Sequence, residues 1–121
     1  MGTRSYEEFV AEREALNELV LEKANLEIKR FFSLDSQAYR PGQLDSKTKE
    51  MLGLVASLVL RCDDCIAYHV GRCREEGVMD GEFQEVLSIG LVVGGSIVIP
   101  HLRRAVRTWE EIPAPTHPGS G

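Results

Sequence analysis

The first third of the chain carries apolar residues at helical spacing, and this pattern constrains the fold more than any other feature. The pattern begins with a capping box, in which Ser5 is the expected N-cap and Glu8 lies three residues later. It continues to about Phe32, and an unbroken helix over residues 6–32 would rise about 40 Å, more than the width of a small domain. The helix is therefore expected either to break, with Asn25 as the candidate position, or to pack its overhang on another subunit.

The middle of the chain predicts two further helices. Asp45 or Ser46 caps the first, which ends near Leu60. From Met51 onwards nearly every residue is apolar, so this helix is expected to be buried all round. The second helix starts in the polar segment that follows and ends at Gly77, a typical residue just past a helix C-terminus.

The last third contains one ambiguous segment. Asp80 is expected to cap a helix, but residues 86–100 fit either buried strands, from their valine and isoleucine content, or two closely packed helices, from their glycines. In the helical alternative Ser96 caps a last helix, which extends over residues 102–112. Residues 113–121 are predicted to be a flexible tail. The chain is therefore predicted to be all-α, a single compact domain of about six helices.

The composition argues against several classes of protein. A chain of 121 residues is long enough for one domain. Its net charge is −5 and it has no basic tract, which argues against nucleic acid or an anionic membrane as a partner. The longest uncharged run, residues 86–102, is broken by glycines and a proline and does not predict a membrane span. The first residues contain no apolar segment, so we expect no signal peptide and a cytoplasmic location.

Four residues suited to redox or metal chemistry share one stripe of the second predicted helix, namely Cys62, Cys65, His69 and Cys73. Cys65 and His69 lie one turn apart, so the imidazole can take or share the proton of the thiol. The set also resembles a zinc pattern. A continuous helix from Cys62 to Cys73 rises about 16 Å, however, whereas zinc ligands lie only about 2.3 Å from the ion. We therefore expect no metal site and interpret Cys73 as a small core residue.

Local charge acts on the thiols in both directions. The helix N-terminus beside Cys62 and the nearby imidazole lower the thiol pKa, whereas Asp63 and Asp64 disfavour a thiolate. A Cys-x-x-Cys at a helix start can also close into a disulfide, which provides an attacking and a resolving thiol. Without a secretory signal, the pair indicates cytosolic thiol chemistry or metal binding rather than a structural disulfide.

The other polar residues leave alternatives open. From its position alone, Glu50 is more simply an exposed first-turn carboxylate, stabilised by the helix dipole, than a core-facing group partnered by His69. Tyr68 is expected to face away from that histidine and to serve in packing. His101 and His117 belong to no pattern and receive no role.

Taken together, these residues resemble the carboxymuconolactone decarboxylase superfamily in its alkylhydroperoxidase D-like (AhpD-like) branch. That branch carries a glutamate, eleven residues, Cys-x-x-Cys, three residues and a histidine. Glu50, Cys62, Cys65 and His69 have this spacing throughout. The resemblance covers about half of the chain, residues 44–105. One departure is that some members have a second histidine where this chain has an aspartate before its second cysteine.

The resemblance implies an architecture and a chemistry. It implies an AhpD-like core over residues 44–112, an N-terminal helical extension over residues 1–43, and assembly into trimers or hexamers. It also implies a proton relay from Glu50 through His69 to a thiol, which favours the functional interpretation of the glutamate. By this likeness the protein is a thiol-dependent peroxidase or disulfide oxidoreductase with antioxidant activity.

The resemblance further assigns roles to the two thiols. Cys65 attacks a hydroperoxide and becomes a sulfenic acid, and Cys62 condenses with it to a disulfide. No cofactor is bound, and an external dithiol reduces the disulfide. In better-known members this dithiol is a lipoyl group, and a peroxiredoxin is a further partner. Two alternatives are a lactone acid decarboxylase, in which Arg61 binds the carboxylate, and a non-enzymatic redox-sensing assembly module.

Overall fold

The structure, a computed structural model, describes residues 4–114 and contains six α-helices. In chain order they are α1 (Tyr6–Lys23), α2 (Leu26–Ala38), α3 (Ser46–Leu60), α4 (Asp63–Glu75), α5 (Asp80–Gly94) and α6 (Ile99–Glu111). A 3-10 turn, Ser96–Val98, precedes α6, and no strand occurs among the described residues. The all-α prediction is confirmed, and residues 86–100 follow the helical alternative. The predicted tail lies outside the described residues from residue 115 onwards.

The N-terminal helix breaks where its sequence predicts. The capping box forms, because the Glu8 amide donates to Ser5 Oγ and the Ser5 amide donates to the Glu8 carboxylate. Near residue 24 the chain leaves the helix, and Asn25 caps α2 by accepting the Ile28 amide at 3.0 Å. This cap satisfies an amide that a helix start leaves unpaired, so a short polar side chain is enough to begin a new helix.

The core lies between α3, α4, α5 and α6. Its buried residues are Leu54, Leu58, Ile66, Val70, Cys73, Val78, Phe83, Leu87, Val98, Ala105 and Trp109. The expectation that α3 is buried all round from Met51 is wrong, since Leu52 is 55% exposed and Leu60 is 75% exposed. Only one stripe of α3 faces the neighbouring helices, so the remaining apolar side chains stay on the surface.

Two predicted caps are wrong. Asp80 is the first residue of α5, and its carboxylate accepts the indole N–H of Trp109 at 2.7 Å instead of capping the helix. The N-cap is Met79, whose amide donates to the Glu82 carboxylate. Ser96 begins the 3-10 turn and makes no side-chain cap bond, so α6 starts three residues later. Both cases show that a tertiary contact or a tighter turn can displace a local capping preference.

The connection between α3 and α4 positions the site. Arg61 adopts a left-handed conformation with φ of 58°, and the Cys62 amide donates to the Ser57 carbonyl at 3.1 Å. The chain therefore reverses, and α4 runs back along α3. Within residues 4–114, none of the helices combines the length and apolar character needed to cross a membrane. The division into residues 1–43 and 44–112 stays a prediction.

Candidate functional site

The two cysteines of the Cys-x-x-Cys lie at the start of α4. Cys62 is the N-cap, and its sulfur accepts the Cys65 amide at 3.2 Å. The two sulfurs are joined in a disulfide, with the Cα atoms 5.2 Å apart. Cys65 is exposed, whereas Cys62 is half-buried. A helix start therefore holds both thiols in bonding distance, in the electrostatic field that favours a thiolate.

Glu50 and His69 form a buried pair between α3 and α4. Glu50 is 1% exposed, and its Oε1 lies 2.8 Å from Nδ1 of His69. Its Oε2 accepts the Nε–H of Arg72 at 3.3 Å. The alternative of an exposed first-turn carboxylate is therefore wrong. Because α4 runs back along α3, a residue at the start of α3 meets one in the middle of α4, and its charge is compensated there.

The partners of His69 assign its tautomer. The carboxylate of Glu50 already accepts a hydrogen bond from Arg72, which can only donate, so as an ionised group it acts as an acceptor towards Nδ1 as well. Nδ1 therefore carries a proton, and in the neutral imidazole Nε2 presents the lone pair. Nε2 lies 3.4 Å from the hydroxyl of Tyr39, a residue that sequence reasoning missed. Tyr39 follows α2 and has no periodic relation to the motif, so no sequence signal marks it.

A cavity of about 360 Å³ lies beside Cys65, the exposed cysteine of the pair. Cys65, Tyr68 and His69 of α4 line it together with Phe9 and Arg13 of α1. The expectation that Tyr68 faces away is wrong, since its ring centroid lies 5.0 Å from that of His69. The guanidinium of Arg13 lies over the ring of Tyr68, 4.1 Å from its centroid. Because α1 packs over α4 at this point, a side chain that the isolated helix would leave outside becomes part of the cavity wall.

The aspartates between the cysteines are paired with basic groups from distant parts of the chain. Asp63 contacts His101 at 2.7 Å and Arg104 at 2.9 Å, both on α6. Asp64 accepts a hydrogen bond from Arg4 at 2.8 Å. These contacts offset the negative charge that the sequence sets beside the thiols. His101 thus has a structural contact that its sequence did not predict, and His117 lies outside the described residues.

Cys73 lies apart from the redox pair. It is a free thiol with no exposed surface, and burial, followed by the charge of Glu50, raises its pKa to about 12. The helix is continuous from Asp63 to Glu75, so Cys73 stays about three turns from Cys62. The interpretation of Cys73 as a core residue is confirmed. Residues 4–114 contain no group of three or more His, Cys, Asp or Glu side chains placed to hold a metal ion.

Comparison with known proteins places this arrangement in a family. The model of the "Carboxymuconolactone decarboxylase family" matches residues 28–108. Among solved structures, TM1620 from Thermotoga maritima is 65% identical, with a TM-score of 0.86 over 88% of this chain and 93% of that one. A second structure of TM1620, with a TM-score of 0.82, is described as a family protein with a suggested part in the antioxidative response.

Two more distant proteins are also similar. The family protein lpg0406 from Legionella pneumophila is 22% identical, with a TM-score of 0.81 over 88% of this chain and 95% of that one, and supports the fold alone. "Uncharacterized protein 4 in cox locus" from Paracoccus denitrificans is 26% identical over 82 residues, which are 68% of this chain and 74% of that protein.

Proposed function

Because the chain belongs to the carboxymuconolactone decarboxylase family, we propose that it is a thiol-dependent peroxidase or disulfide oxidoreductase acting through Cys62 and Cys65. The observation that carries this proposal is the disulfide at the start of α4, one helical turn from a buried Glu50–His69 pair. The antioxidative role suggested for its relative TM1620 supports the same chemistry.

In the proposed reaction the reduced Cys65 is the nucleophile. Cys65 is the cysteine that is exposed and lines the cavity together with His69, so a hydroperoxide reaches it directly. Its sulfur attacks the O–O bond, takes one oxygen to become a sulfenic acid, and releases an alcohol. The thiol of Cys62 then attacks this sulfur, forming the disulfide and releasing water.

The Glu50–His69 pair moves the proton in this scheme. Nε2 of His69 accepts the proton of the Cys65 thiol and returns it to the leaving oxygen. The resulting imidazolium is stabilised by the carboxylate at Nδ1, 2.8 Å away. Because the carboxylate of Glu50 also accepts a hydrogen bond from Arg72, the orientation of the carboxylate is constrained before the substrate arrives.

An external dithiol closes the cycle. It reduces the disulfide through a mixed disulfide, gives two electrons and two protons, and itself becomes a disulfide. By likeness to the AhpD-like branch, this dithiol is a lipoyl group, and a peroxiredoxin is a further partner. The scheme requires no bound cofactor and is consistent with the predicted cytoplasmic location.

The surface supports an assembly of several copies. Large apolar side chains are exposed on α1 and α2, namely Leu16, Leu19, Val20, Leu26, Ile28, Phe31 and Leu34. A second group lies on α5 and the following turn, namely Ile89, Val92, Val93 and Ile97. Apolar surface of this extent is unusual on a monomer. We propose that copies of the chain cover these surfaces in a trimer or hexamer.

A thiol count tests the catalytic proposal. The reduced protein receives a stoichiometric pulse of hydroperoxide, and free thiols are counted within seconds. We expect two of the three thiols to disappear and a dithiol to restore them, with Cys73 unreacted. Cys65→Ser should abolish peroxide turnover, whereas Cys73→Ala is the matched control and should retain it. Survival of all three thiols, or normal turnover by Cys65→Ser, would refute the mechanism.

Two alternatives are separated by further assays. A lactone acid decarboxylase would act without the cysteines, so turnover of a lactone by the Cys62→Ser/Cys65→Ser protein would support it. Arg61, its candidate carboxylate group, is exposed and lies outside the lining of the Cys65 cavity. A redox-sensing assembly module would change size between the oxidised and reduced forms, which sedimentation measures directly.

A further inference from the structure

The hydroxyl of Tyr39 contacts Nε2 of His69, the nitrogen that accepts the proton of the Cys65 thiol in the proposed reaction. Nδ1 of the imidazole is engaged by Glu50, so proton transfer between Cys65 and His69 has only Nε2 available. Tyr39 Oη lies 3.4 Å from this atom, and the two rings are 5.3 Å apart. With the lone pair on Nε2, the phenol donates and the imidazole accepts.

The backbone around Tyr39 is anchored by α3. The ammonium of Lys49 donates to the carbonyls of Ala38 and Arg40, at 2.9 Å and 2.6 Å. The hydroxyl of Ser46 donates to the carbonyl of Tyr39 itself at 3.1 Å. Three hydrogen bonds thus fix the backbone around Tyr39, directly after α2, and all three come from the helix that carries the glutamate of the relay.

Gly53 leaves the space in which the two rings meet. A Cβ at this position would lie 2.6 Å from Cε1 of His69 and 2.8 Å from the hydroxyl of Tyr39, both closer than real contacts allow. Any side chain other than hydrogen would therefore displace one ring or both. The contact between Tyr39 and His69 depends on a surface of α3 that is open only because this residue is glycine.

We propose that Tyr39 is a positioning residue that competes with the Cys65 thiol for Nε2 of His69 and thereby stabilises the disulfide form. The inference rests on the proposed use of His69 as the proton acceptor of Cys65. In the disulfide form Cys65 has no proton to donate, and the phenol of Tyr39 donates to Nε2 in its place. After reduction the thiol donates instead, so the contribution of Tyr39 is specific to the oxidised state.

The phenol keeps its proton in this environment. Burial, followed by the charge of Glu50, raises the pKa of Tyr39 above its ordinary value. It therefore remains a donor throughout the pH range in which the cysteines cycle. The distance of 3.4 Å is long for a hydrogen bond, and a long bond is readily exchanged for a thiol that approaches the same lone pair.

The dithiol–disulfide equilibrium of Tyr39→Phe tests the proposal. The variant and the wild type are equilibrated in buffers of defined ratios of reduced and oxidised dithiothreitol, and the free thiols are counted. We expect the equilibrium of Tyr39→Phe to move towards the dithiol by about 2- to 3-fold, the lower end of the effect of losing one hydrogen bond, because the bond is long. A threefold change corresponds to a rise of about 14 mV in the reduction potential.

The matched control is Tyr6→Phe, which removes another partly buried phenol. The Tyr6 hydroxyl lies against Gly71 of α4, and its ring lies beside Phe9 of α1. It should leave the equilibrium unchanged. An unchanged equilibrium in Tyr39→Phe, or a shift towards the disulfide, would overturn the proposal. Because no peroxide is present, this result is independent of whether the protein is a peroxidase.

Nitrogen NMR of His69 in the oxidised protein gives a second readout. We expect the Nδ1–H tautomer in the wild type and a shifted Nε2 resonance in Tyr39→Phe, because the nitrogen loses its donor. Gly53→Ala should alter the same resonance by displacing the rings. An Nε2 resonance identical in the wild type and Tyr39→Phe would contradict the contact itself.

Discussion

Cys73 shows how the environment of one residue overrides the motif that it extends. It falls on the same helical stripe as the redox pair, yet its side chain is fully buried. Burial, followed by the charge of Glu50, raises its pKa to about 12. At pH 8 only about one thiol in ten thousand is then ionised. The nucleophilic form is almost absent, so Cys73 belongs to the core and not to the redox chemistry.

The raised pKa of Cys73 predicts a loss of stability in alkali. Above about pH 9 the unfolded thiol ionises, while the folded thiol keeps its proton up to about pH 12. The free energy of unfolding should therefore fall, by up to about 1.4 kcal/mol per pH unit from this group. Urea unfolding at pH 9 and pH 10.5 measures the loss.

A comparison with Cys73→Ala isolates the contribution of Cys73 to the loss of stability in alkali. The variant should be less stable than the wild type at pH 7, because it leaves a small cavity. Its further loss between pH 9 and pH 10.5 should be smaller than that of the wild type. The partly buried tyrosines also titrate in alkali, but they do so in both proteins. Equal losses in the two proteins would show that Cys73 is not held neutral by folding.

At the scale of elements, Gly77 determines how α4 ends and α5 begins. Its φ is +84°, in the left-handed region that residues with a Cβ adopt only at a cost. Nothing lies within 4 Å of a Cβ built there, so backbone strain is the only penalty of a substitution. Gly77→Ala should lower the free energy of unfolding by about 1 kcal/mol in urea titrations.

Gly81 provides a control within the same connection. It lies in the first turn of α5, and a Cβ there would also meet nothing within 4 Å. Because its backbone is helical, Gly81→Ala should stabilise the protein slightly, by about 0.5 kcal/mol, through reduced freedom of the unfolded chain. If both substitutions changed stability in the same direction, backbone conformation would not explain either.

At the scale of the whole molecule, the exposed apolar surface of α5 predicts an interface between copies. Val92 is 82% exposed, and the nearby apolar residues Ile89 and Val93 are exposed as well. If copies of the chain bury it, a charge there would be removed from water without a partner. Val92→Glu should therefore shift the assembly towards monomers of 13.5 kDa in analytical ultracentrifugation.

The matched control is Gln84→Glu, which adds the same charge to the same helix. Gln84 is exposed and lies about 12 Å from Val92 along the helix axis. It should leave the assembly unchanged, and circular dichroism should show that both variants keep their helices. A monomeric wild type, or an assembly unaffected by Val92→Glu, would exclude this surface as the interface.

The sequence by itself determined the features that depend on neighbours in the chain. The capping box at Ser5, the break at Asn25, the helix end at Gly77 and the helix start at Cys62 were all predictable. Each depends on hydrogen bonds or backbone angles within about one helical turn. For the same reason the sequence indicated that Cys65 and His69 lie one turn apart on one helix.

Only the tertiary structure decided which side chains meet across helices. The bond from His69 to Glu50 spans 19 positions of the chain, and its contact with Tyr39 spans 30. The ion pair that offsets Asp64 spans 60. Helical periodicity specifies a face but not the neighbour that covers it, because that neighbour depends on how the helices pack. The thiols and their spacing to His69 were therefore readable from the sequence, whereas the packing of α3 and of α1 against α4 supplied the groups that surround them.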